Sequence, residues 1–270
     1  MNDYSNPAIY WETRLTTRFD LVGAGCAALG PRYNARMYQV RFRALERALA
    51  AVNYSFKGKR VLEVGCGTGS YTDYCARQRV TDYVGLDITL VSVTTLRHQY
   101  PQFTFFQADV TKEPIVPETV FDIVLVADVL FHIVDEGDFR VAMRNVCRWV
   151  GPGGVLILSD IFPPATVQTA LHCRHRGVNE EYEPLLAAYG LSVAHIEPIF
   201  AILHPPLLIP GTSLAWQVYA WLWRYGWRLA RWSLADWALP RVLSWLDEHL
   251  FLPRLGLYAP NSKWLLAVRR

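Results

Sequence analysis

The sequence predicts an α/β fold with a largely parallel sheet, and three observations predict it. From Arg60 onward, short apolar runs alternate with stretches of helical periodicity, the rhythm of βαβ units. The first apolar run closes on the glycine turn GCGTG, residues Gly65 to Gly69, which opens a helix. With 270 residues, 52% hydrophobic and 19% charged, the chain is long enough to bury a sizeable core and too apolar to stay disordered.

The elements follow in order. Tyr33 to Ala51 has helical periodicity, and residues 1–59 are expected to form a helical cover over one end of the sheet. Arg60 to Val64 reads as a strand buried on both faces, followed by a helix from Ser70 to Gln78. Asp82 to Asp87 is the second strand, and the helix Thr89 to Tyr100 ends at Pro101. Gln102 to Gln107 alternates as a third strand. Phe121 to Ala127 and Val155 to Ser159 come next, separated by an amphipathic helix near Asp138 to Trp149 and a turn at Gly151 to Gly154. Beyond Asp160 a helical region is expected to run to a cap at Gly190, with Leu191 to Ile199 as a strand. Residues 60–199 thus form the core, 200–261 an insertion, and 262–270 the last strand.

Composition locates an anomaly in that insertion. Eight of the ten tryptophans lie after residue 210, and residues 211–270 hold eight basic and three acidic side chains within a total charge of only +3. In SLAWQVYAWLWRYGWRLARW, the polar residues Gln217, Arg224, Arg228 and Arg231 fall on one stripe of a single helix, with apolar residues nearly everywhere else. Such a helix needs cover. It can act as a lid on a ligand pocket, as a homodimer contact, or as a peripheral membrane or lipid contact through 211–250. The uncharged stretch Pro198 to Trp223 is interrupted by prolines and is too short for a span. No run of five like charges occurs, which argues against nucleic-acid binding. The five cysteines are odd in number and lack CxxC spacing, so reduced thiols in a cytoplasmic protein are expected, and the N-terminus shows no secretory pattern.

Glycines at 65, 67 and 69 let a backbone turn tightly and approach a ligand, and the following helix offers free N–H groups. Asp87 ends the next strand, where a carboxylate can accept hydrogen bonds from both hydroxyls of a ribose. These two features point to an adenosine-bearing ligand, a dinucleotide or S-adenosylmethionine. Ser70 breaks the GxGxxG pattern of dinucleotide sites.

The segments VLEVGCGTGSYT, VGLDIT, FFQADVT, FDIVLVADVLFHI and NVCRWVGPGGVLILSD occur in that order over 60–160. They resemble the motifs of class I S-adenosylmethionine-dependent methyltransferases of the small-molecule type. The resemblance implies a Rossmann-like, doubly wound seven-stranded sheet with an antiparallel last strand. It further implies that Glu63, Gly65, Cys66, Gly67 and Gly69 hold the methionine part of the cofactor, Asp87 and Ile88 the ribose, and Asp109 with Val110 the adenine edge. Ala127 completes that set, and Cys66 has no covalent role. Tyr33 stands where relatives carry an aromatic that closes over the cofactor, with core packing as the alternative; Trp11 and Arg14 are weaker candidates.

Methyl transfer from a sulfonium is an in-line displacement, and a hydroxyl acceptor must also lose its proton. His132 follows the fourth strand, at the sheet edge where ligands bind in doubly wound folds, and an imidazole can take that proton. The resemblance adds Asp160, at the end of the fifth strand, as a helper, with helix capping as its alternative role. No NPPY or DPPY follows the fourth strand, which disfavours transfer to nucleobase or glutamine nitrogens. The run His172, Cys173, His175 has irregular spacing and is expected on a surface helix, so no metal is expected. These features predict a biosynthetic O-methyltransferase acting on a sugar, polyketide or lipid-like metabolite. The rivals are a nicotinamide-dependent oxidoreductase and a noncatalytic cofactor-binding module at a membrane.

Overall fold

The computed structural model describes residues 6–112, 120–207, 214–226 and 233–270. Three helices open the chain. In α1 (Pro7–Thr17) proline occupies the first turn, where its missing N–H costs nothing, and the Asn6 side chain accepts from the Ile9 amide. The Arg14 guanidinium donates to the carbonyls of Gly23 (2.6 Å) and Gly25 (2.7 Å), pinning α1 to the short α2 (Leu21–Ala24). In α3 (Pro31–Ala51) the buried residues Met37, Val40, Ala44 and Ala48 recur at helical spacing and face the sheet.

The sheet contains seven strands, with β1 (Arg60–Val64) near its centre. The first units are α4 (Ser70–Arg77), β2 (Asp82–Asp87), α5 (Leu90–Gln99), β3 (Thr104–Gln107) and β4 (Phe121–Ala127). Next come α6 (Glu136–Trp149) and β5 (Val150–Asp160). Strands β1 to β5 pair in parallel in the order β3-β2-β1-β4-β5. The final strand, β9 (Lys263–Arg269), is antiparallel to β5, and β8 (Leu191–Pro198) is antiparallel to β9 at the edge. The predicted doubly wound sheet is therefore present. Strand order reverses between β1 and β4, which opens a crevice at their carboxyl ends.

Alternation along β5 assigns its side chains to two cores. Val155 and Ile157 join the cluster under α3 and α4, whereas Leu156 and Leu158 join the one under α6. Helices on both faces explain why these strands read as unbroken apolar runs.

Two expectations change. The residues beyond Asp160 form a hairpin, β6 (Val167–Ala170) and β7 (Cys173–His175), before a turn at 178–182 and α7 (Glu183–Ala188). Pro163 and Pro164 bias the residues before them away from helical backbone, and Val167 and Thr169 favour extended backbone further on. The glycines at 151–154 lie inside β5, with a register shift opposite Phe121 and Ile123, rather than forming a separate turn. In the insertion, α8 (Leu214–Gly226) covers the first half of the expected helix; Arg228 and Arg231 lie outside the described residues.

The insertion continues through α9 (Ser233–Leu246) and the short α10 (Leu252–Leu255). It is fastened by buried acids. Asp236 accepts from the amides of Arg32 (3.1 Å) and Tyr33 (2.8 Å), serving the N-terminus of α3. Asp247 accepts from the amides of Ala201, Ile202 and Leu203 at 3.1, 2.7 and 2.9 Å. Among the described residues, no helix is long and apolar enough to cross a membrane.

Candidate functional site

The glycine turn leaves β1 with its Gly65 and Cys66 amides both donating to the Leu86 carbonyl, at 2.7 and 3.0 Å. Gly65 has φ +79°, and any side chain there would run into Val129, so glycine is required on two counts. Asp87 is buried, and its carboxylate holds the turn. One oxygen accepts from the Gly67 amide (2.7 Å), and the other accepts from the Thr89 amide (2.9 Å) and hydroxyl (2.7 Å). Burial raises the Asp87 pKa, and the Thr89 and Gly67 donors oppose that shift. Glu63 is also buried, with Oε2 accepting from the Tyr83 and Thr72 hydroxyls. Burial outweighs those donors and pushes its carboxyl up to about 8, so Glu63 holds its proton at neutral pH.

Around the crevice lies a cavity of about 780 Å³. Of the residues singled out in the sequence, the structure brings Glu63, Gly65, Cys66, Gly67, Asp87 and Ile88 to its wall. Asp109, Val110, Ala127 and His132 join them. Asp109 accepts from the Thr111 amide and hydroxyl at 2.9 and 2.7 Å, and the Asn145 amide donates to the Val110 carbonyl at 2.9 Å, which sets this corner against α6. Helix α1 closes the opposite side with Trp11 and Leu15. It is held there by Glu12, whose carboxylate accepts from the Leu90 and Val91 amides at the start of α5 (2.6 and 3.1 Å).

His132 ends a 3-10 turn after β4. Its Nδ1 lies 3.1 Å from the His172 carbonyl oxygen, which can only accept; Nδ1 therefore carries the proton and Nε2 the lone pair. Trp11 stands edge-on to the ring at 5.3 Å, and the His172 ring lies parallel to it at 5.7 Å. Burial first, with the neighbouring imidazoles adding to it, lowers the His132 pKa to about 4.

Beside it, Asp128 lines the cavity with φ +58°, a left-handed conformation that aspartate tolerates better than most residues. Its carboxylate accepts from the Ser159 hydroxyl (2.7 Å) and pairs with Arg41 (2.6 Å). Arg41 is buried, donates to the Tyr71 hydroxyl (3.0 Å) and stacks over Trp264 (5.4 Å). Burial would raise the Asp128 carboxyl, but the Arg41 charge and the Ser159 hydroxyl hold it below the usual carboxylate range.

Three expected residues are elsewhere. Tyr33 is fully buried, with its hydroxyl donating to the Leu203 carbonyl (2.7 Å) and its ring against Trp223. It packs the insertion onto α3 and does not reach the cavity, whose aromatic wall on this side comes from Trp11 and Tyr38. Asp160 is also off the wall. Strand alternation turns it to the opposite face from Ser159, where it pairs with His175 and accepts from the Tyr182 hydroxyl (3.3 Å) and the Ile161 amide (2.6 Å). It locks the hairpin and α7 to the sheet. Gly69 does not line the cavity but caps α4 with φ +82°.

The hairpin regroups the His and Cys residues. His175 is consumed by Asp160, while His132, His172 and Cys173 place one donor atom each within 4.8 Å of one another. Burial pushes the Cys173 thiol up to about 11, so it is protonated at neutral pH. Sequence reasoning missed Thr68, Tyr38, Asp128 and His172 on the wall. Thr68 sits between the glycines already singled out, and its position alone was a signal.

Comparison with known proteins places this cavity in a family. Residues 33–200, more than half of the chain, match the methyltransferase-domain family. A phosphoethanolamine N-methyltransferase from Triticum aestivum is 28% identical over 145 residues, covering 52% of this chain and 26% of that protein. A fatty-acid O-methyltransferase from Mycolicibacterium smegmatis is 35% identical over 116 residues, covering 42% of this chain and 41% of that protein. The match thus spans less than half the length of either relative. The solved structure of magnesium protoporphyrin IX methyltransferase from Synechocystis with bound SAH aligns over 100% of this chain and 98% of that one, with TM-score 0.54 and 17% identity, a likeness of fold. The chain belongs to the methyltransferase-domain family and has the class I S-adenosylmethionine-dependent methyltransferase fold.

Proposed function

We propose that this chain transfers the methyl group of S-adenosylmethionine to a hydroxyl of a small, partly apolar acceptor. The observation that carries this reading is that one cavity joins the Asp87-bound glycine turn to the tautomer-fixed His132. Its volume suits a cofactor with room for an acceptor. The residues fit the cofactor in a further respect: Thr68 Oγ1 in the glycine turn is buried and has no hydrogen-bond partner among the described residues. When bound, S-adenosylmethionine supplies an electrophilic methyl on a sulfonium. Asp87 would hold the ribose, the glycine turn and Glu63 the methionine part, and Asp109 with Val110 the adenine edge. Membership of the methyltransferase-domain family displaces the nicotinamide-dependent reading. The names of two relatives, a fatty-acid O-methyltransferase and a phthiotriol/phenolphthiotriol dimycocerosates methyltransferase, support an acceptor with an apolar part. Product mass spectrometry on hydroxylated and amino-bearing lipids tests it; methyl on nitrogen alone would overturn the hydroxyl assignment.

In this reading His132 Nε2 takes the acceptor proton. With its pKa near 4 the ring is a weak base but is always unprotonated at neutral pH. A weak base suffices, because a hydroxyl proton becomes strongly acidic as the new C–O bond forms. His132→Ala should retain cofactor binding and lose about 10²- to 10⁴-fold in turnover. The wild-type kcat/KM should hold through pH 6.5 and fall only as pH drops through about 4, since protonation removes the Nε2 lone pair. A limb at pH 6.5 would show that the ring keeps its ordinary imidazole pKa, whereas an acid limb that persists unchanged in His132→Ala would remove the base role.

Glu63 offers a second readout. Its proton is retained up to about pH 8, and a cationic ligand beside it favours the carboxylate. Binding of S-adenosylmethionine at pH 7 should therefore release a proton and tighten as pH rises toward 8. Calorimetry in buffers of different ionisation enthalpy measures that proton, and Glu63→Gln should abolish it.

A further inference from the structure

We infer that the outer faces of α8 and α9 form a docking surface for an anionic lipid bilayer, on which the protein lies without spanning it. The described side chains of both helices divide into an inner and an outer side. On α8 the Tyr219 hydroxyl donates inward to the Ala201 (2.9 Å) and His204 (3.0 Å) carbonyls, and Trp223 packs on Tyr33. On α9 Asp236 and Ser244 bind α3. The opposite sides carry large apolar groups in water. Trp221 is 59% exposed and Tyr225 53% exposed on α8, a pair at i and i+4; Trp237 is 50% and Trp245 57% exposed on α9. Exposed single apolar residues are ordinary, but four aromatics on two successive helices that both pack against Tyr33, at the start of α3, are not.

Charge identifies the occupant. The only acidic residue of α8 and α9 is Asp236, which is buried against α3, and the nearby Glu248 is paired with Arg43 (2.5 Å). The exposed charges on the two helices are Arg224 and Arg241, the latter lying over the Trp237 ring at 4.4 Å. An apolar face rich in Trp and Tyr and edged only by arginine complements anionic headgroups, with the aromatics at the interfacial depth they prefer. A second copy fits less well, because a two-fold contact would set this cationic face against itself. Neither helix meets the length and apolarity of a span, so both would lie in the plane of the interface.

The test is vesicle flotation of the full chain with and without phosphatidylglycerol, at low and high salt. Two arginines near the surface, at ~1 kcal/mol each, predict about 30-fold stronger partitioning onto the anionic vesicles at low salt. Trp221→Glu combined with Trp237→Glu should abolish flotation while leaving the melting temperature and its shift by S-adenosylmethionine unchanged. Those positions are exposed and outside the cavity, so methyl transfer to a water-soluble acceptor would survive in the variant; flotation and activity can therefore fail separately. Absence of flotation on the anionic vesicles overturns the proposal, as does equal flotation on neutral and anionic vesicles. A stable dimer by light scattering that dissociates in the double variant assigns the face to a second copy and overturns it as well.

Discussion

Asp87→Ala is expected to weaken S-adenosylmethionine binding by at least about 10²-fold, the largest loss of affinity from any single substitution in the cavity. The carboxylate does two things at once. It accepts three hydrogen bonds from the protein, one from Gly67 across the turn and two from Thr89. It also lines the cavity at the place where ribose hydroxyls would meet it. Oδ1 already accepts twice and Oδ2 once, which leaves one acceptor site for a ribose hydroxyl; a hydrogen bond to a charged group contributes about 1.5–3 kcal/mol, so that bond alone accounts for about one to two decades of affinity. Alanine additionally leaves the Gly67 amide without its acceptor, and the turn loses its preorganised shape. Asp87→Asn separates the effects, because it keeps one acceptor oxygen but faces the remaining donors with an NH₂ group. Calorimetric titration should order the Kd values wild type, Asp87→Asn, Asp87→Ala. An alanine variant that binds within a few-fold of wild type would remove Asp87 from the cofactor site.

What could be read from the sequence was local or periodic. The strands β1, β2 and β4 announce themselves as apolar runs because both of their faces are covered, and the glycine turn because few other residues tolerate its dihedrals beside Val129. What escaped depends on distant chain segments or on strand parity. Trp11 reaches the cavity only because Glu12 caps a helix nearly eighty residues later. Asp160 and Ser159 are neighbours, yet alternation sends one to the hairpin and the other to Asp128, and no motif states which. His172 becomes a wall residue through a hairpin that Pro163 and Pro164 allowed in place of a helix. Tyr33 sits at the right end of α3, but its hydroxyl is claimed by a carbonyl of the insertion.

The pair Arg41 and Asp128 is the clearest case of a functional feature that only the fold assembles, and its two halves should respond unequally to substitution. Arg41 keeps 6% of its side-chain surface exposed, whereas Asp128 keeps 39%, because it opens onto the cavity. Removing the partner of a buried charge costs about 3–5 kcal/mol, since the remaining ion is left without water or counter-charge. Asp128→Asn strands Arg41 in that way while preserving the left-handed backbone, which asparagine also tolerates, and should cost ~3 kcal/mol. Arg41→Met strands Asp128, which can draw solvent from the cavity, so the cost should be smaller, ~1–2 kcal/mol after allowance for screening. The pH dependence should change sign with it. In the wild type the Asp128 carboxyl is lowered, so its stabilisation is complete above the ordinary carboxylate pKa and lost as pH falls through the depressed one. In Arg41→Met burial raises that carboxyl instead, and the variant should regain stability relative to wild type as pH falls and Asp128 takes up a proton. Urea unfolding of both single variants and the double variant at neutral and acidic pH measures all of this, and equal losses for the two single variants would show that the cavity does not solvate Asp128. Because Asp128 begins the loop that carries His132, Asp128→Asn should also lower turnover, by displacing the imidazole from the acceptor.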